Sequence, residues 1–263
     1  MKIDLLVVDP QHDFCNPKGN LYVAGAEDDM KRLSAMIKKG KAKINNIHST
    51  LDQHHIVDIA HSIFWRDSTG NHPDPFTLIT VDDIADGKWM TTKPSMMKRA
   101  TGYIKELALR GRYVLCIWPP HCIIGSLGAT IVPEVFEAYC EWESERFAIV
   151  NKVAKGSNFW TEHYSAVKAE VPDPDDPGTA ANMSLINALK EADVIGIAGE
   201  ALSHCVAHTI RDIADEVGDN NISKFVLLED ATSSVAGFEQ LGVDFVKEMV
   251  SRGMRISNTK DFL

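Results

Sequence analysis

The sequence predicts an α/β protein with a mainly parallel sheet covered by helices on both faces. Three observations carry this. Short apolar runs alternate along the chain with stretches of helical periodicity. Most of the runs are continuously apolar, as strands buried on both faces are. Reactive side chains gather just after several of these runs, where an open parallel sheet places its ligands.

The elements follow in order. Ile3–Val8 is apolar apart from Asp4 and reads as the first strand. Glu27–Lys39 has helical spacing, and Ile44–Thr50 reads as the next strand. Met97–Leu109 is a helix leading to an apolar strand over Tyr113–Trp118. Pro133–Glu143 is a helix, and Phe147–Val153 is a short additional strand. Thr179–Glu191 is a helix before the strand Asp193–Gly199. Ser203 stands as an N-cap, with Val206, Thr209, Ile210 and Ile213 at helical spacing behind it, giving a helix over Ser203–Glu216. Phe225–Glu229, Gly237–Ser251 and Met254–Ser257 complete the pattern as strand, helix and strand. Residues 66–95, with Gly70, Pro73, Pro75, Gly87 and Pro94, form a long aperiodic insertion near a site or an oligomer contact. Val171–Gly178 (VPDPDDPG) is a stiff surface connection. The β–α rhythm resumes after both, so 1–263 is expected to be one domain.

Composition narrows the function. A formal net charge of -10 argues against nucleic acid or an anionic membrane as partner. No apolar run approaches the roughly 20 residues that span a bilayer. The opening MKIDLLVVDP is expected to be a strand rather than a signal peptide. Five scattered cysteines without a C-x-x-C pair suggest a reducing cytoplasm, with most thiols serving as small core residues.

The chemistry is expected at the strand ends. Cys205 lies in the first turn of its helix, where free N–H groups and the helix dipole favour a thiolate. Its proton needs a base and its anion a cation, jobs that suit Asp9 and Lys155. Lys152 competes with Lys155, and His208 is a second candidate base. Asp52, His54 and His121, with His61 as a further candidate, have the ligand types of zinc, iron or manganese; the alternative is a capped loop with solvated histidines. His55 should point away from such a site. Phe14, Trp118, Phe159, Trp160 and Tyr164 are core aromatics or the walls of a pocket for a flat substrate.

The motifs DPQHDF (9–14), TLDQHHIVDIAH (50–61), WPPHCIIGSLGA (118–129), KGSNFWTEHYSA (155–166) and GEALSHCVAHT (199–209) resemble those of the isochorismatase-like cysteine hydrolases, and among them the nicotinamidases. The motifs appear in the family's order over nearly the whole chain. The resemblance implies a three-layer αβα fold with a six-stranded parallel Rossmann-like sheet, and a homo-oligomer. It implies a catalytic triad of Asp9, Lys155 and Cys205, and an oxyanion hole from the N–H groups of Ala201 and Cys205 beside a cis peptide at Glu200–Ala201. It makes Asp52, His54 and His121, with His61, ligands of a divalent metal such as Zn2+, Fe2+ or Mn2+, and Phe14, Trp118 and Tyr164 the walls of a ring pocket. The implied reaction is hydrolysis of nicotinamide or a related aromatic amide to the acid and ammonia through a thioester. A non-pyridine amide, such as a carbamoyl or maleamate-like compound, is the alternative substrate, and a non-catalytic binding protein the third reading. Glu200, Leu202, two extra residues between Lys155 and Tyr164, and the 66–95 insertion depart from the family pattern.

Overall fold

A computed structural model describes residues 1–263, apart from the side chain of Asn220. Six parallel strands form the main sheet: β1 (Ile3–Val8), β2 (Ile44–Asp52), β3 (Asn151–Lys155), β4 (Val194–Gly199), β5 (Phe225–Leu228) and β6 (Arg255–Ser257). Their spatial order is β3-β2-β1-β4-β5-β6. This is the doubly wound order of a Rossmann-like sheet. β1 is buried along its whole length, as its continuous apolar run requires of a central strand.

The longer helices are α1 (Ala26–Gly40), α2 (Met97–Arg110), α3 (Pro133–Arg146), α4 (Met183–Lys190), α5 (Ala207–Val217) and α6 (Glu239–Ser251). Right-handed crossovers leave β1 and β4 in opposite directions, so α1 and α5 cover opposite faces. α1 carries Glu27, Asp28 and Asp29 in its first turn and Lys38 and Lys39 in its last, which complements its dipole. α3 packs beside it and anchors to β2. Trp142 Nε1 donates to the Ile44 carbonyl at 3.2 Å, and the Tyr139 hydroxyl meets Ser49 at 3.1 Å.

Two expectations need correction. The run Tyr113–Trp118 does not join the main sheet. Only Leu115–Cys116 is extended, and it pairs antiparallel with Leu78–Ile79 of the insertion. The insertion supplies the partners that the sheet would otherwise have offered: the Ile117 N–H donates to the Thr77 carbonyl at 2.9 Å. The place beside β2 goes instead to Asn151–Lys155, the shorter run that starts later than Phe147. The helix at Ser203 also begins differently. Leu202–Val206 form one wide π turn, and the α-helix proper starts at Ala207. Ser203 is not its cap. Its Oγ accepts from the Val235 N–H and meets His204 Nδ1.

The topology decides where chemistry can occur. Strand order reverses between β1 and β4, which opens a crevice beyond their carboxyl ends. Asp9 follows β1, Asp52 ends β2, Lys155 ends β3, and Cys205 lies in the turn after β4. Four neighbouring strands thus deliver one chemically distinct group each to the same edge.

Candidate active site

Lys155 occupies the centre of the site. β2 and β3 pair with Asp52 opposite Lys155. The Lys155 ammonium lies 2.9 Å from Asp9 Oδ2, 3.0 Å from Asp52 Oδ1 and 3.6 Å from Cys205 Sγ. All four residues are buried. Burial opposes the lysine charge, but Asp52 and Asp9 hold it protonated, well above its usual range. Lys152 is exposed, so β3 itself decides between the two lysines.

Asp9 is fixed by its backbone and by Thr50. Its φ of 44° turns the chain sharply off β1. The Thr50 hydroxyl accepts from the Asp9 N–H at 3.0 Å and donates to Asp9 Oδ1. Burial raises the Asp9 carboxyl above its ordinary value, with Lys155 acting in opposition. Burial likewise pushes the Cys205 thiol well up, and Lys155 draws it back only in part. Burial thus outweighs the favourable helix position expected for the Cys205 thiol.

The peptide Glu200–Ala201 is cis. The N–H groups of His204 and Val206 both donate to the Ala201 carbonyl, at 3.0 and 3.1 Å. The Ala201 N–H has no acceptor among the described residues. Glu200 does not enter the pocket. Its Oε2 accepts from the Ser233 N–H at 2.9 Å.

Beside the lysine, ligand atoms of Asp52, His54 and His121 lie within 4.8 Å of one another. Asp52 Oδ2 is 3.1 Å from His54 Nε2 and 3.4 Å from His121 Nε2. The far nitrogen of each ring is already engaged. His54 Nδ1 meets Asp58 Oδ2 at 3.0 Å, His121 Nδ1 meets the Pro119 carbonyl at 2.9 Å, and His61 Nδ1 meets the Ile56 carbonyl at 3.3 Å. Such bonds fix each ring's orientation and turn each Nε2 inward. The His61 ring is 5.3 Å from that of His54, and its buried Nε2 has no partner among the described residues. A carboxylate and imidazole nitrogens that converge on one point are the ligand types of a divalent metal, so these residues fit one. Gly156 completes the cradle: at φ 84° it passes so close that a Cβ would stand 2.6 Å from Asp52 Oδ1.

Phe14, Trp118 and Tyr164 line one small cavity with Cys205, His204 and Glu162. The space in it open to a water-sized sphere is small, ≈ 20 Å³. Trp118 Nε1 donates to the Tyr164 hydroxyl at 2.9 Å. Phe76 of the insertion packs edge-on against Trp118 at 5.7 Å, so the insertion does reach the pocket wall. Phe159 and Trp160 instead stack on each other at 4.9 Å, and neither lines this cavity. His55 is exposed, and His208 turns to Glu170 Oε1 at 3.0 Å.

Sequence reasoning missed four residues. Gln11 clamps Asp52 through both backbone groups, accepting from its N–H at 2.6 Å and donating to its carbonyl at 2.7 Å. Asp13 Oδ2 accepts from the Cys122 N–H at 2.7 Å and so holds the loop that carries His121. Asp58 backs His54. Glu162 is buried in the pocket wall with one oxygen unpartnered, and burial raises its carboxyl to about 8. All four lie inside the quoted motifs, but only spacing to a partner strand or loop could have revealed their jobs.

No family model matches this sequence, and no curated protein matches it. Solved structures do. A nicotinamidase/pyrazinamidase of Acinetobacter baumanii superposes with a TM-score of 0.67 at 22% identity, covering 100% of this chain and 98% of that one. This chain has the nicotinamidase fold. The yeast nicotinamidase gives a TM-score of 0.67 at 20% identity, covering 97% of this chain and 99% of its own. A Pyrococcus horikoshii pyrazinamidase solved in complex with zinc gives 0.60 at 20%, covering 98% and 99%. Among the described residues, no helix of this nicotinamidase-like fold is long and apolar enough to cross a membrane.

Proposed function

We propose that the protein is a cysteine amidohydrolase that cleaves a small planar carboxamide, nicotinamide or a related aromatic amide, to the acid and ammonia. The observation that carries this reading is the single buried ammonium of Lys155, 2.9 Å from Asp9 and 3.6 Å from Cys205. A base, a cation and a thiol in mutual reach are the parts of an activated sulfur nucleophile.

Asp9 takes the thiol proton as the amide enters, and Lys155 holds the nascent thiolate. The Cys205 sulfur attacks the carboxamide carbon. The N–H groups of Ala201 and Cys205 receive the oxyanion, a contact worth about 10²–10³ in rate per donor. Asp9 returns its proton to the nitrogen, the C–N bond breaks, and ammonia leaves a thioester on Cys205. Asp9 then removes a proton from water, the hydroxide adds to the thioester carbon, and the C–S bond breaks to give the acid. Lys155 again stabilises the departing thiolate, which regains the proton held by Asp9.

Phe14, Trp118 and Tyr164 hold the ring flat. Asp52, His54 and His121, with His61, would bind the divalent metal, Zn2+ being the ion suited to this ligand set. When bound, the metal supplies a Lewis-acid contact for a lone pair on the substrate ring.

Ammonia release from nicotinamide by the zinc-loaded protein tests the reading. Turnover is expected, with loss of at least 10³-fold in Cys205→Ala. Full activity in that variant, or no release from any aromatic amide, overturns it. Nicotinaldehyde, present as the inhibitor in a solved yeast nicotinamidase, should block alkylation of Cys205.

A further inference from the structure

Glu200 departs from the family pattern and is fully buried, although it does not enter the pocket. No cation among the described residues acts on it. A carboxyl group in such a place has to be satisfied by hydrogen bonds alone.

Ser233, in the turn after β5, supplies the first of them. The Ser233 N–H donates to Glu200 Oε2 at 2.9 Å, and the Ser233 carbonyl accepts from the Leu202 N–H at 2.8 Å. One serine thus holds both neighbours of Ala201. The same serine also reaches away from the site. Its hydroxyl donates to Oδ2 of Asp29, in the first turn of α1, at 2.6 Å. Asp29 is buried too, and its Oδ1 accepts from Arg32 Nη2 at 2.6 Å. The Glu200 carboxyl is itself a hydrogen-bond partner of Asp29. Two carboxyl groups can share a hydrogen bond only when one of them keeps its proton. The guanidinium on Asp29 makes Asp29 the anion. Glu200, whose buried Oε1 meets no N–H or O–H donor, keeps the proton. Burial first, and Asp29 after it, hold the Glu200 carboxyl well above its ordinary range, against the pull of the Ser233 N–H.

We infer that Glu200 is a positioning residue: as a neutral acid it ties the backbone around Ala201, through Ser233, to Asp29 on α1, and so aims the Ala201 N–H at the oxyanion. This rests on the amidohydrolase reading and adds to it a buried acid that never touches substrate. α1 contributes none of the residues that line the cavity, so the tie fixes the donor from outside the pocket. A donor misaimed by a fraction of an ångström loses much of its worth in the transition state and little in the ground state.

The test uses zinc-loaded protein, nicotinamide as substrate, and nicotinaldehyde as a probe whose thiol adduct presents an oxygen to the same donors. Glu200→Gln offers an oxygen to the Ser233 N–H and an N–H to Asp29, so it keeps the tie. Glu200→Val removes it, and Asp29→Ala cuts it at the far end. Rates are taken per folded protein, read by near-UV circular dichroism. Glu200→Val is expected to lower kcat about 10–100-fold, the scale of a misplaced oxyanion donor. Its KM should stay within threefold of wild type, while nicotinaldehyde inhibition weakens by a factor similar to that in kcat. Asp29→Ala should lower kcat at least threefold in the same manner, and it carries the test if Glu200→Val does not fold. Glu200→Gln should stay within threefold of wild type in all three quantities. A fall of less than tenfold in kcat for folded Glu200→Val, an Asp29→Ala variant with wild-type kcat, or a Glu200→Gln variant as impaired as Glu200→Val overturns the inference and leaves the amidohydrolase reading standing. Absence of wild-type turnover on every aromatic amide fails the earlier reading, and this inference with it.

Discussion

Replacing Lys155 by methionine should separate two jobs that one ammonium performs. The side chains are similar in length, so packing is largely kept and the charge is lost. At 2.9 and 3.0 Å, each carboxylate gains roughly 5–6 kcal/mol of attraction from the ammonium at an effective dielectric near 20. Most of that offsets the desolvation of the three groups. Removing one partner of a buried pair still costs about 3–5 kcal/mol, because a charge is left uncompensated. Asp9, already raised by burial, can relieve its share by taking a proton. Asp52 cannot do so as easily, because His54 and Lys155 hold it well below the usual range against the effect of burial. The metal-free variant should therefore melt about 6–20 °C below wild type. Zinc should raise the variant's melting temperature more than wild type's, since the metal and the lysine compete for the same carboxylate. Calorimetric titration should accordingly find tighter zinc binding in Lys155→Met, while ammonia release falls by 10³-fold or more. A metal-free variant melting within about 2 °C of wild type, with zinc affinity unchanged or weaker, would refute the shared counter-ion.

Three further outcomes follow from the same geometry. Asp58→Asn removes the carboxylate that orients His54 and should weaken zinc binding about 10–100-fold by titration, although Asp58 is not itself a ligand. Gly156→Ala places a Cβ 2.6 Å from Asp52 Oδ1 at a φ of 84°, and should lower both thermal stability and zinc content by elemental analysis. Glu162 has a folded pKa of about 8 against an ordinary 4.5. The folded state therefore keeps a proton that the unfolded chain releases, and stability is lost as pH rises from 4.5 through 8. In metal-free protein Glu162→Gln should gain on wild type by several kcal/mol, up to about 5, at pH 9 and by little at pH 4.5, measured by denaturant unfolding at both pH values.

The sequence made the strand ends legible because burial on both faces writes a continuous apolar run, and because a parallel sheet gathers reactive groups at one edge. Asp9, Asp52 and Cys205 could be placed on those grounds. Lys155 could not be separated from Lys152 until β3 was paired with β2, since the distinction is one of register. Tyr113–Trp118 misled for the complementary reason. An apolar run records that a segment is buried, not which strand it bonds, and the insertion had already supplied the partner. Glu162, Asp13 and Gln11 were silent because a polar residue in a loop looks solvated until tertiary structure buries it.

Asp52 shows why the two halves of the site belong together. One of its oxygens faces Lys155 at 3.0 Å, and the other faces His54 and His121 at 3.1 and 3.4 Å. The carboxylate is thus common to the Lys155 ammonium and to the histidine cluster. Gln11 fixes it from behind through both of its backbone groups, and Gly156 leaves the space into which it turns. Charge drawn toward the histidines is charge withdrawn from the lysine, which is then left more fully to Asp9 and the sulfur. In the proposed reaction, such a site would couple the groups that orient a ring to those that attack its amide through one side chain. Its position at the end of β2, beside β1 and β3, is what the strand order makes available.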